Sequence, residues 1–539
     1  MLNANDIVSG IAEYKCYIKR LNFLSFNPFL IKKCTDEKKK AKTAFVEKMK
    51  SIAKKAFDEK NYADAQKSYQ AIFEADSKNI ENIKNYITCL EKLEQYDIQL
   101  ELSKHLLKLS KASENYKILS NAYNKTGLYR EALRNYKKYL ELSNKAKPDA
   151  GDYNLIGCYY FNEYNKGKQI PSDAKNALAN FEKAVELAPK NKAYLKNSIF
   201  AAMKVKDYET EKKYWDVYFS ENFANEEDKF TYSASCMRNG DIKTWAKYYE
   251  ARFTRNNAAP QPKIDKPFYT GKEDLSGKTL LIHSEQGYGD NFLMFGYMPR
   301  LTKLAKKVIY HIQNGAYELI KNNDFGVEAC CQKTIDVTKV KCDYHIPCMS
   351  IPIALGLDKD TLSVGSGYIK PNKELAEKYK NKYFNTKKFK IAIAYKGVAS
   401  NAKRDIPIES LALLDKLKNV QLYCFTKDID DKELKAFKKN NVINIAKEFE
   451  DFAHTAAALE NVDLVISSDN CILNLAGAIG KNTLGIFNYH HEFRWYDLSG
   501  EDCGWFDCVK PIVNDEYNDW DKSILNAIKK VKLIQKNGQ

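Results

Sequence analysis

A single carboxylate on a glycine-rich turn is the first feature of the sequence that could do chemistry. Asp290 follows the apolar run 279–282 and the turn 286–289, Gln-Gly-Tyr-Gly. One interpretation is that its oxygens cap a helix, because the free N–H groups of a first turn need acceptors. The other is that it acts as a general base, which takes a proton from a hydroxyl group. The turn alone leaves both open.

A second segment combines a glycine with two cations. The run 391–395, Ile-Ala-Ile-Ala-Tyr, has the composition of a buried strand and ends just before Gly397. Lys403 and Arg404 follow in the loop. A guanidinium binds phosphate oxygens in pairs, so one interpretation is a diphosphate clamp. The other is ordinary solvated surface charge.

A third segment, 462–487, has the pattern strand, helix, strand. Its first strand ends at Ser468 and Asp469, a helix is predicted from about Asn470, and Gly480 stands at the end of that helix. The start of such a helix offers N–H groups and the positive end of a dipole to phosphate. Capping by Asp469 would need no ligand, so this pattern also leaves the function open.

The elements that must position these residues are short β-prone runs separated by amphipathic segments. This order predicts parallel sheets with crossover helices. The predicted strands are 279–282, 308–311, 390–394, 420–425, 463–467 and 483–487. We therefore predict two doubly wound lobes, 278–372 and 388–520, with a ligand cleft beyond the carboxyl ends of the strands, followed by a C-terminal helix over 521–539.

The first half of the chain repeats with a period near 34 between residues 46 and 257. Large residues spaced i, i+3, i+4 give each predicted helix one buried stripe. Gly127 stands where two helices turn, and Ala132 where their backbones approach. Six units share this register, which resembles the tetratricopeptide repeat and predicts a stacked all-α superhelix. Its groove is either a surface that captures a polypeptide or a scaffold that buries a flank or makes a dimer.

Two further segments complete the predicted organisation. Residues 258–277 contain three prolines and no helical period, and we predict a linker there. Residues 1–45 form an N-terminal extension. Its apolar run 21–31 is too short to span a bilayer, so it either packs on the first repeat or anchors peripherally at a membrane surface.

Composition narrows the class of protein and its partners. The 539 residues carry 86 basic and 70 acidic side chains, a net charge of +16 that favours anionic ligands. The lysine clusters are short and scattered, so we predict a solvated surface and no nucleic-acid partner. The 13 cysteines are irregularly spaced, which indicates reduced thiols rather than disulfides or a zinc site. Without a signal-peptide pattern, we predict a cytoplasmic protein.

The motifs together resemble those of family 9 glycosyltransferases, known for the ADP-heptose–lipopolysaccharide heptosyltransferases. The similarity is greatest to bacterial proteins that join tetratricopeptide repeats to such a domain, and it covers about 46–520. The matching segments are EQGYGDNFLMFGYMPRL (285–301), CDYHIPCMSIPIALGL (342–357) and DFAHTAAALENVDLVISSDNCILNLAGAIGKNT (451–483).

The resemblance implies a GT-B fold of two Rossmann-like lobes. It further implies metal-free inverting transfer from a nucleotide-diphosphate sugar to an acceptor hydroxyl on a protein or glycolipid, with no cofactor, because basic groups and helix dipoles neutralise the departing diphosphate. It places Asp290 on the general-base position. Donor contacts are expected from Gly397, Lys403, Arg404, Ser468, Asp469, Asn470 and Asn474. Acceptor or donor-sugar contacts are expected from Gln286, Gly287, Gly289, His345, Tyr489 and Arg494.

Three asparagines depart from the family pattern. Asn470 stands where the family has threonine, Asn474 where it has histidine, and Asn482 where it has proline. Three hypotheses follow: a transferase whose repeats recruit its acceptor, a non-catalytic interaction scaffold with a degenerate domain, or a lipopolysaccharide sugar transferase at the inner leaflet. Tyr423 and Phe425 are either core residues or a stacking surface for the nucleobase.

Overall fold

A computed structural model describes residues 4–25, 31–143, 147–167, 169–397, 403–427, 429–430, 432–496, 498 and 503–537. The chain divides into two compact units, Met1–Val217, here called the helical unit, and Tyr218–Gln539, the sheet unit. The predicted class, a helical-repeat region followed by parallel-sheet α/β structure, is confirmed.

The helical unit is built from helices that pack against their neighbours in the chain. They are α1 (Ala4–Leu24), α2 (Ile31–Asp58), α3 (Tyr62–Ala75), α4 (Ile80–Lys92), α5 (Tyr96–Leu109), α6 (Ser113–Lys125), α7 (Tyr129–Leu142), α8 (Ala150–Lys166), α9 (Pro171–Leu187), α10 (Lys192–Val205) and α11 (Tyr208–Ser220), which crosses the division between the units. Because α2 is continuous, position 45, where the sequence suggested the end of an extension, lies inside a helix.

The repeat register predicts which residues are buried between these helices. Ala132 and Tyr136 of α7 are buried and pack against Tyr159 of α8. Gly127 has a φ of +72° in the preceding turn, a conformation that glycine adopts without strain. At Gly157, an added Cβ would lie 2.6 Å from the ring of Phe181, so only a glycine allows α8 and α9 to approach this closely.

The sheet unit starts with helices and continues with two parallel sheets. Its helices are α12 (Glu226–Arg238), α13 (Ile242–Tyr248), α14 (Tyr288–Phe295), α15 (Met298–Leu304), α16 (Asn314–Lys321), α17 (Ile351–Ala354), α18 (Lys373–Tyr383), α19 (Ile408–Leu411), α20 (Phe452–Leu459), α21 (Cys471–Ile479) and α22 (Trp520–Asn537). A 3-10 turn, Tyr249–Phe253, follows α13. Residues 218–257 of the predicted repeat region therefore belong to the unit that holds the sheets.

The first sheet has the order β3-β2-β1-β4 and the second the order β10-β9-β8-β5-β6-β7, with all pairings parallel. The strands are β1 (Thr279–His283), β2 (Lys307–Ile312), β3 (Val327–Cys331), β4 (Tyr344–Pro347), β5 (Phe389–Ala394), β6 (Val420–Cys424), β7 (Val442–Asn444), β8 (Leu464–Ser468), β9 (Thr483–Phe487) and β10 (Val509–Val513). Helices cross between the strands, as parallel pairing requires.

The segment between the helices and the first sheet packs against the sheet unit. Phe268 forms a bridge with His345 of β4, and the N–H of Tyr269 donates to the carbonyl oxygen of His345. Tyr269 and Leu275 are buried. The prolines therefore mark the end of the helices, while the second half of 258–277 is an ordered edge of the first lobe.

Two further properties concern the described part of the chain. No helix there is both long enough and apolar enough to cross a bilayer. All 13 cysteines lie within the described residues, and none of them is joined in a disulfide bond there.

Candidate functional site

The carboxyl ends of strands from both sheets surround a cavity of about 1030 Å³. The first lobe contributes the turn 286–290, directly after β1. The second lobe contributes Gly397 and Arg404 after β5, the segment 469–474 after β8, and the loop that holds Arg494 after β9. Ten residues that the sequence singled out line this cavity: Gln286, Gly287, Gly289, Asp290, Gly397, Arg404, Asp469, Asn470, Asn474 and Arg494.

Asp290 caps its own helix and also faces the cavity. The N–H of Gly287, the N-cap residue, donates to Asp290 Oδ2 over 2.9 Å at the start of α14. The residue with left-handed backbone is Gln286, at a φ of +61°, and neither glycine of the turn has a positive φ. Asp290 can therefore be both a helix cap and a general base, because the cap uses only Oδ2 and the other oxygen, Oδ1, remains for the cavity.

The glycine at position 289 is explained by a close contact with α21 of the second lobe. An added Cβ would lie 3.0 Å from Asn474 Nδ2, and the same nitrogen donates to the Gly289 carbonyl oxygen over 3.0 Å. The backbone of the turn thus directly contacts the first helical turn of α21. This bond joins the segment that bears Asp290 to the segment predicted to bind diphosphate.

Arg494 forms an ion pair with Asp290 across the cavity. Its Nε lies 2.8 Å from Asp290 Oδ1, and its Nη1 lies 2.9 Å from Glu492 Oε2. Burial raises the pKa of Asp290, and the positive charge of Arg494 opposes that rise. A carboxylate with a raised pKa and a cation beside it has the properties of a tuned acid–base group.

The strand–helix junction after β8 is held by asparagine and not by aspartate. Asn470 is the N-cap of α21, and its Oδ1 accepts from the N–H of Ile472 over 2.9 Å. Asp469, which the sequence offered as the cap, instead accepts from Trp495 Nε1 over 2.8 Å and lies 3.4 Å from Arg404 Nη1. Asparagine at 470 therefore performs the local capping, so Asp469 is available to the cavity.

Burial raises the pKa of Asp469 to about 6, although Arg404 partly opposes this. The folded chain thus holds a proton on Asp469 between about pH 4 and pH 6, where the unfolded chain has lost it. The ionised group then destabilises the fold at higher pH. Compared with Asp469→Asn, the wild-type protein should lose about 2 kcal/mol of unfolding free energy as the pH rises through this window. Urea unfolding at several pH values measures it.

The matched control for this prediction is Asp336→Asn. Asp336 is exposed, and hydrogen bonds from Thr338 lower its pKa. In Asp336→Asn, the unfolding free energy should still fall between pH 4 and pH 6, as in the wild type. Parallel stability curves for wild type and Asp469→Asn would contradict a raised pKa at Asp469.

Four predicted site residues lie outside the cavity wall. Ser468 is buried below it, where its Oγ accepts from Asn470 Nδ2 over 3.1 Å. Lys403 is exposed, and its carbonyl oxygen accepts from Asn488 Nδ2 over 2.9 Å. The backbone N–H of Tyr489 donates to Asn488 Oδ1, and its ring contacts His490 edge-on.

His345 is the fourth, and its environment is structural. It lies on β4, where its Nδ1 is 3.4 Å from His283 Nε2 and its ring stands edge-on to Phe268. Burial lowers the pKa of His345, and burial lowers that of His283 to about 3. The two rings are therefore a neutral pair within the first lobe.

Several lining residues were not identified as site residues from the sequence. They are Tyr288, Lys396, Asp405, Lys427, Phe449, Phe452, Glu492 and Trp495. Lys396 Nζ lies 2.5 Å from Glu433 Oε2, and Lys427 Nζ donates to the carbonyl oxygen of Phe449. Phe425 lines the cavity, whereas Tyr423 is a core residue whose hydroxyl donates to the carbonyl oxygen of Tyr383. Only the aromatic and charged composition of 487–496 could have indicated Glu492 and Trp495.

Within the described ranges, no group of three or more histidine, cysteine, aspartate or glutamate side chains is arranged to hold a metal ion. The charged groups that line the cavity include the ion-paired carboxylates and guanidinium groups of Asp290, Asp469, Glu492, Arg404 and Arg494.

Comparisons with known proteins give partial matches. No protein-family model matches the chain. Protein FlbA of Caulobacter vibrioides is 22% identical over 384 residues, which is 65% of this chain and 63% of the length of FlbA. A solved family 9 glycosyltransferase from Veillonella parvula is 12% identical and covers 49% of this chain and 99% of its own, with a TM-score of 0.38. YrrB, a TPR protein with an unusual peptide-binding site, is 16% identical and covers 35% of this chain and 91% of its own, with a TM-score of 0.27.

Proposed function

We propose that this protein is a glycosyltransferase that moves a sugar from a nucleotide-diphosphate donor to an acceptor hydroxyl by metal-independent inverting transfer. The observation that carries the proposal is the shared cavity of Asp290 and the segment 469–474, with the Gly289–Asn474 hydrogen bond between them. A base and an anion-binding helix start thereby face one space from opposite lobes.

In the proposed reaction, the acceptor oxygen attacks the anomeric carbon while the bond from that carbon to the diphosphate breaks. Asp290 takes the hydroxyl proton, and the electron pair leaves with the nucleoside diphosphate. The raised pKa of Asp290 suits this role, because a general base works best with a pKa near the working pH. A single base on one side of the cavity and a leaving-group site on the other are the requirements of an inverting displacement.

The departing diphosphate would be stabilised by Arg404 and the start of α21. A guanidinium binds phosphate oxygens bidentately, and the positive end of the helix dipole points to the same place. The N–H groups of Ile472 and Leu473 already bond to Asn470, so α21 contributes mainly its dipole. Arg404 lies beside Asp469, from which the diphosphate would draw it away.

An aromatic end of the cavity suits the nucleoside. The rings of Phe425 and Phe449 have centroids 5.3 Å apart, and Phe452 lies 4.8 Å from Tyr288. All four rings line the cavity, with Lys427 beside them. A planar base stacks on such rings without needing a particular hydrogen-bond pattern.

The asparagine departures support an active site more than a degenerate one. Asn470 caps α21, and Asn474 bonds to the turn that holds Asp290. Both side chains thus maintain the cavity instead of leaving a vacant position. An inert scaffold has no need of a buried, ion-paired carboxylate in an open cavity, since such groups are costly to bury.

The acceptor is proposed to be a polypeptide recruited by the helical repeats, with a glycolipid acceptor at a membrane surface as the alternative. Repeat stacks of this kind present concave binding surfaces, and YrrB is described by its peptide-binding site. The proposed location is the cytoplasm, because the proposed donors are nucleotide sugars.

The test is a panel of nucleoside diphosphates and nucleotide sugars, read first by thermal shift and then by hydrolysis of the donor. At 100 times its dissociation constant, one nucleotide should add about 2.7 kcal/mol to the unfolding free energy. Arg404→Ala should remove most of that shift. Arg300→Ala, an exposed arginine of the same unit whose Nη1 bonds the carbonyl oxygen of Thr361, should keep it. If no nucleotide in the panel produces a shift or is hydrolysed, the protein is the non-catalytic scaffold.

A further inference from the structure

Arg252, in the 3-10 turn that follows α13, is a buried cation with several partners. Only 6% of its surface is exposed. Its Nη2 and Nε lie 2.9 and 3.3 Å from the two carboxylate oxygens of Glu285, and its Nη1 lies 2.9 Å from Glu250 Oε1. Nη2 also donates to Ser350 Oγ over 2.6 Å. The paired contact fixes the plane and the position of the Glu285 carboxylate.

Glu285 starts the turn that bears Asp290. Its Oε1 also accepts from the N–H of Met349, so its side chain is held from two directions. The next residue, Gln286, has left-handed backbone. This conformation costs a non-glycine residue free energy, and it persists only where the surrounding structure holds it. Its Nε2 donates to the hydroxyl of Tyr249, and its carbonyl oxygen accepts from Gln313 Nε2.

The same helical segment contacts the residue before Arg494. The ring of Phe493 stands edge-on to Phe230 at 6.0 Å and lies 6.1 Å from Tyr249. Phe230 belongs to α12, and Tyr249 begins the 3-10 turn. Residues of 226–253 therefore contact the loops that carry both members of the Asp290–Arg494 pair.

We propose that segment 226–253 is a positioning element of the transfer site, in which Arg252 sets the geometry of Asp290 through Glu285. The proposal rests on the function proposed above and extends the working site into the last helical repeat. A chain cut at the proline segment would contain both lobes but would lack the residues that hold the turn.

The energetics favour positioning over simple docking. A buried ion pair gains little over well-packed apolar residues, because both charges lose their hydration. If segment 226–253 only had to pack against the lobes, apolar contacts such as Phe230 with Phe493 would suffice. A bidentate guanidinium instead fixes an orientation, here that of Glu285, the residue before the strained Gln286.

The experiment compares full-length wild type with Arg252→Met, Arg252→Lys and the double variant Arg252→Met/Glu285→Gln. In Arg252→Met, kcat for transfer or donor hydrolysis should fall about 10- to 100-fold, because a displacement of about 1 Å has that effect. The affinity for the nucleoside diphosphate should change little, since Arg252 does not line the cavity. Arg252→Lys should recover only part of kcat, because lysine cannot form the paired contact.

The double variant separates the effect of Arg252 on the geometry of the turn from its effect on thermal stability. Arg252→Met leaves two carboxylates without their cation, and the double variant removes the more buried one, that of Glu285. Its thermal stability should therefore largely recover while kcat stays low. Recovery of kcat together with stability would overturn the proposal, as would an unchanged kcat in Arg252→Met.

Amide hydrogen exchange decides the positioning without relying on turnover. Exchange in 284–291 should become faster in Arg252→Met and in the double variant, while exchange in 464–468 should not change. Unchanged exchange in 284–291 would overturn the proposal even if the wild type is an active transferase. If exchange is faster in Arg252→Met but the wild type neither binds nucleotide nor turns over, the proposed function is removed and the hold of segment 226–253 on the turn is kept.

Discussion

Asp290→Asn should lower transfer by about 100- to 10,000-fold while leaving nucleoside diphosphate binding nearly unchanged, which is the range expected for loss of a positioned general base. The asparagine has the same size and retains an oxygen for the N–H of Gly287, so this hydrogen bond at the start of α14 persists. What it lacks is the ability to take a proton from the acceptor hydroxyl. The measurement is kcat with saturating donor, alongside nucleotide titration.

The matched control is again Asp336→Asn. Asp336 also caps a short helical turn, accepting from the N–H of Thr338, but it is exposed and does not line the cavity. The Asp336→Asn variant should therefore have the same transfer activity as the wild type. Full transfer activity in Asp290→Asn would show that this carboxylate is a cap and nothing more.

Arg494→Met should have the largest combined effect on stability and transfer. It leaves the Asp290 and Glu492 carboxylates in a buried site without their shared cation. Breaking a buried pair by removing one partner costs about 3 kcal/mol or more, because the remaining charge is uncompensated. Methionine fills much of the same volume, so the expected loss of unfolding free energy in urea reports charge and not a cavity.

The same variant should shift the pH dependence of transfer. The charge of Arg494 opposes the rise that burial produces in the pKa of Asp290, so removing it raises that pKa further. Asp290 acts as a base only when ionised, so the acid limb of kcat/KM should move to higher pH. Arg300→Met is the control. Unchanged stability together with an unmoved acid limb would mean that the ion pair does not form in solution.

The second carboxylate beside Arg494, that of Glu492, tests whether charge accounts for the loss. In Arg494→Met/Glu492→Gln only one unpaired carboxylate remains, so part of the stability should return. Transfer should stay low, because Asp290 still lacks the cation beside it. If the double variant is no more stable than Arg494→Met, the loss comes from packing of the loop.

The structure shows which strands a sequence pattern can identify. All six predicted strands are present, and most of their residues are buried. The four that were not predicted, β3, β4, β7 and β10, are the edge strands of their sheets, where one side of the pairing is missing. Length does not distinguish them, because β1, β6, β8 and β9 were predicted although they have only five residues each. Edge strands are less enclosed, as the half-buried residues of β3 and β7 show, so they carry a weaker apolar pattern.

The glycine turn shows where residue type alone misleads. Two glycines suggest a left-handed turn, yet the left-handed residue is Gln286. Gly289 instead lies close to Asn474, 185 positions away in the chain, and an added Cβ would crowd that side chain. Likewise, Asp469 was a plausible cap by type, but the neighbouring Asn470 takes that position.

The sequence by itself determined the periodic helices, the buried strands and the presence of Asp290 at a helix start, because these depend on neighbours within a few residues. Only the tertiary structure decided that Asp290 pairs with Arg494, that Asn474 bonds to Gly289, and that Arg252 holds Glu285. These contacts join segments from different strands or lobes. Their strength comes from removing charges and polar groups from water, which depends on how the whole unit packs and leaves no periodic trace in the chain.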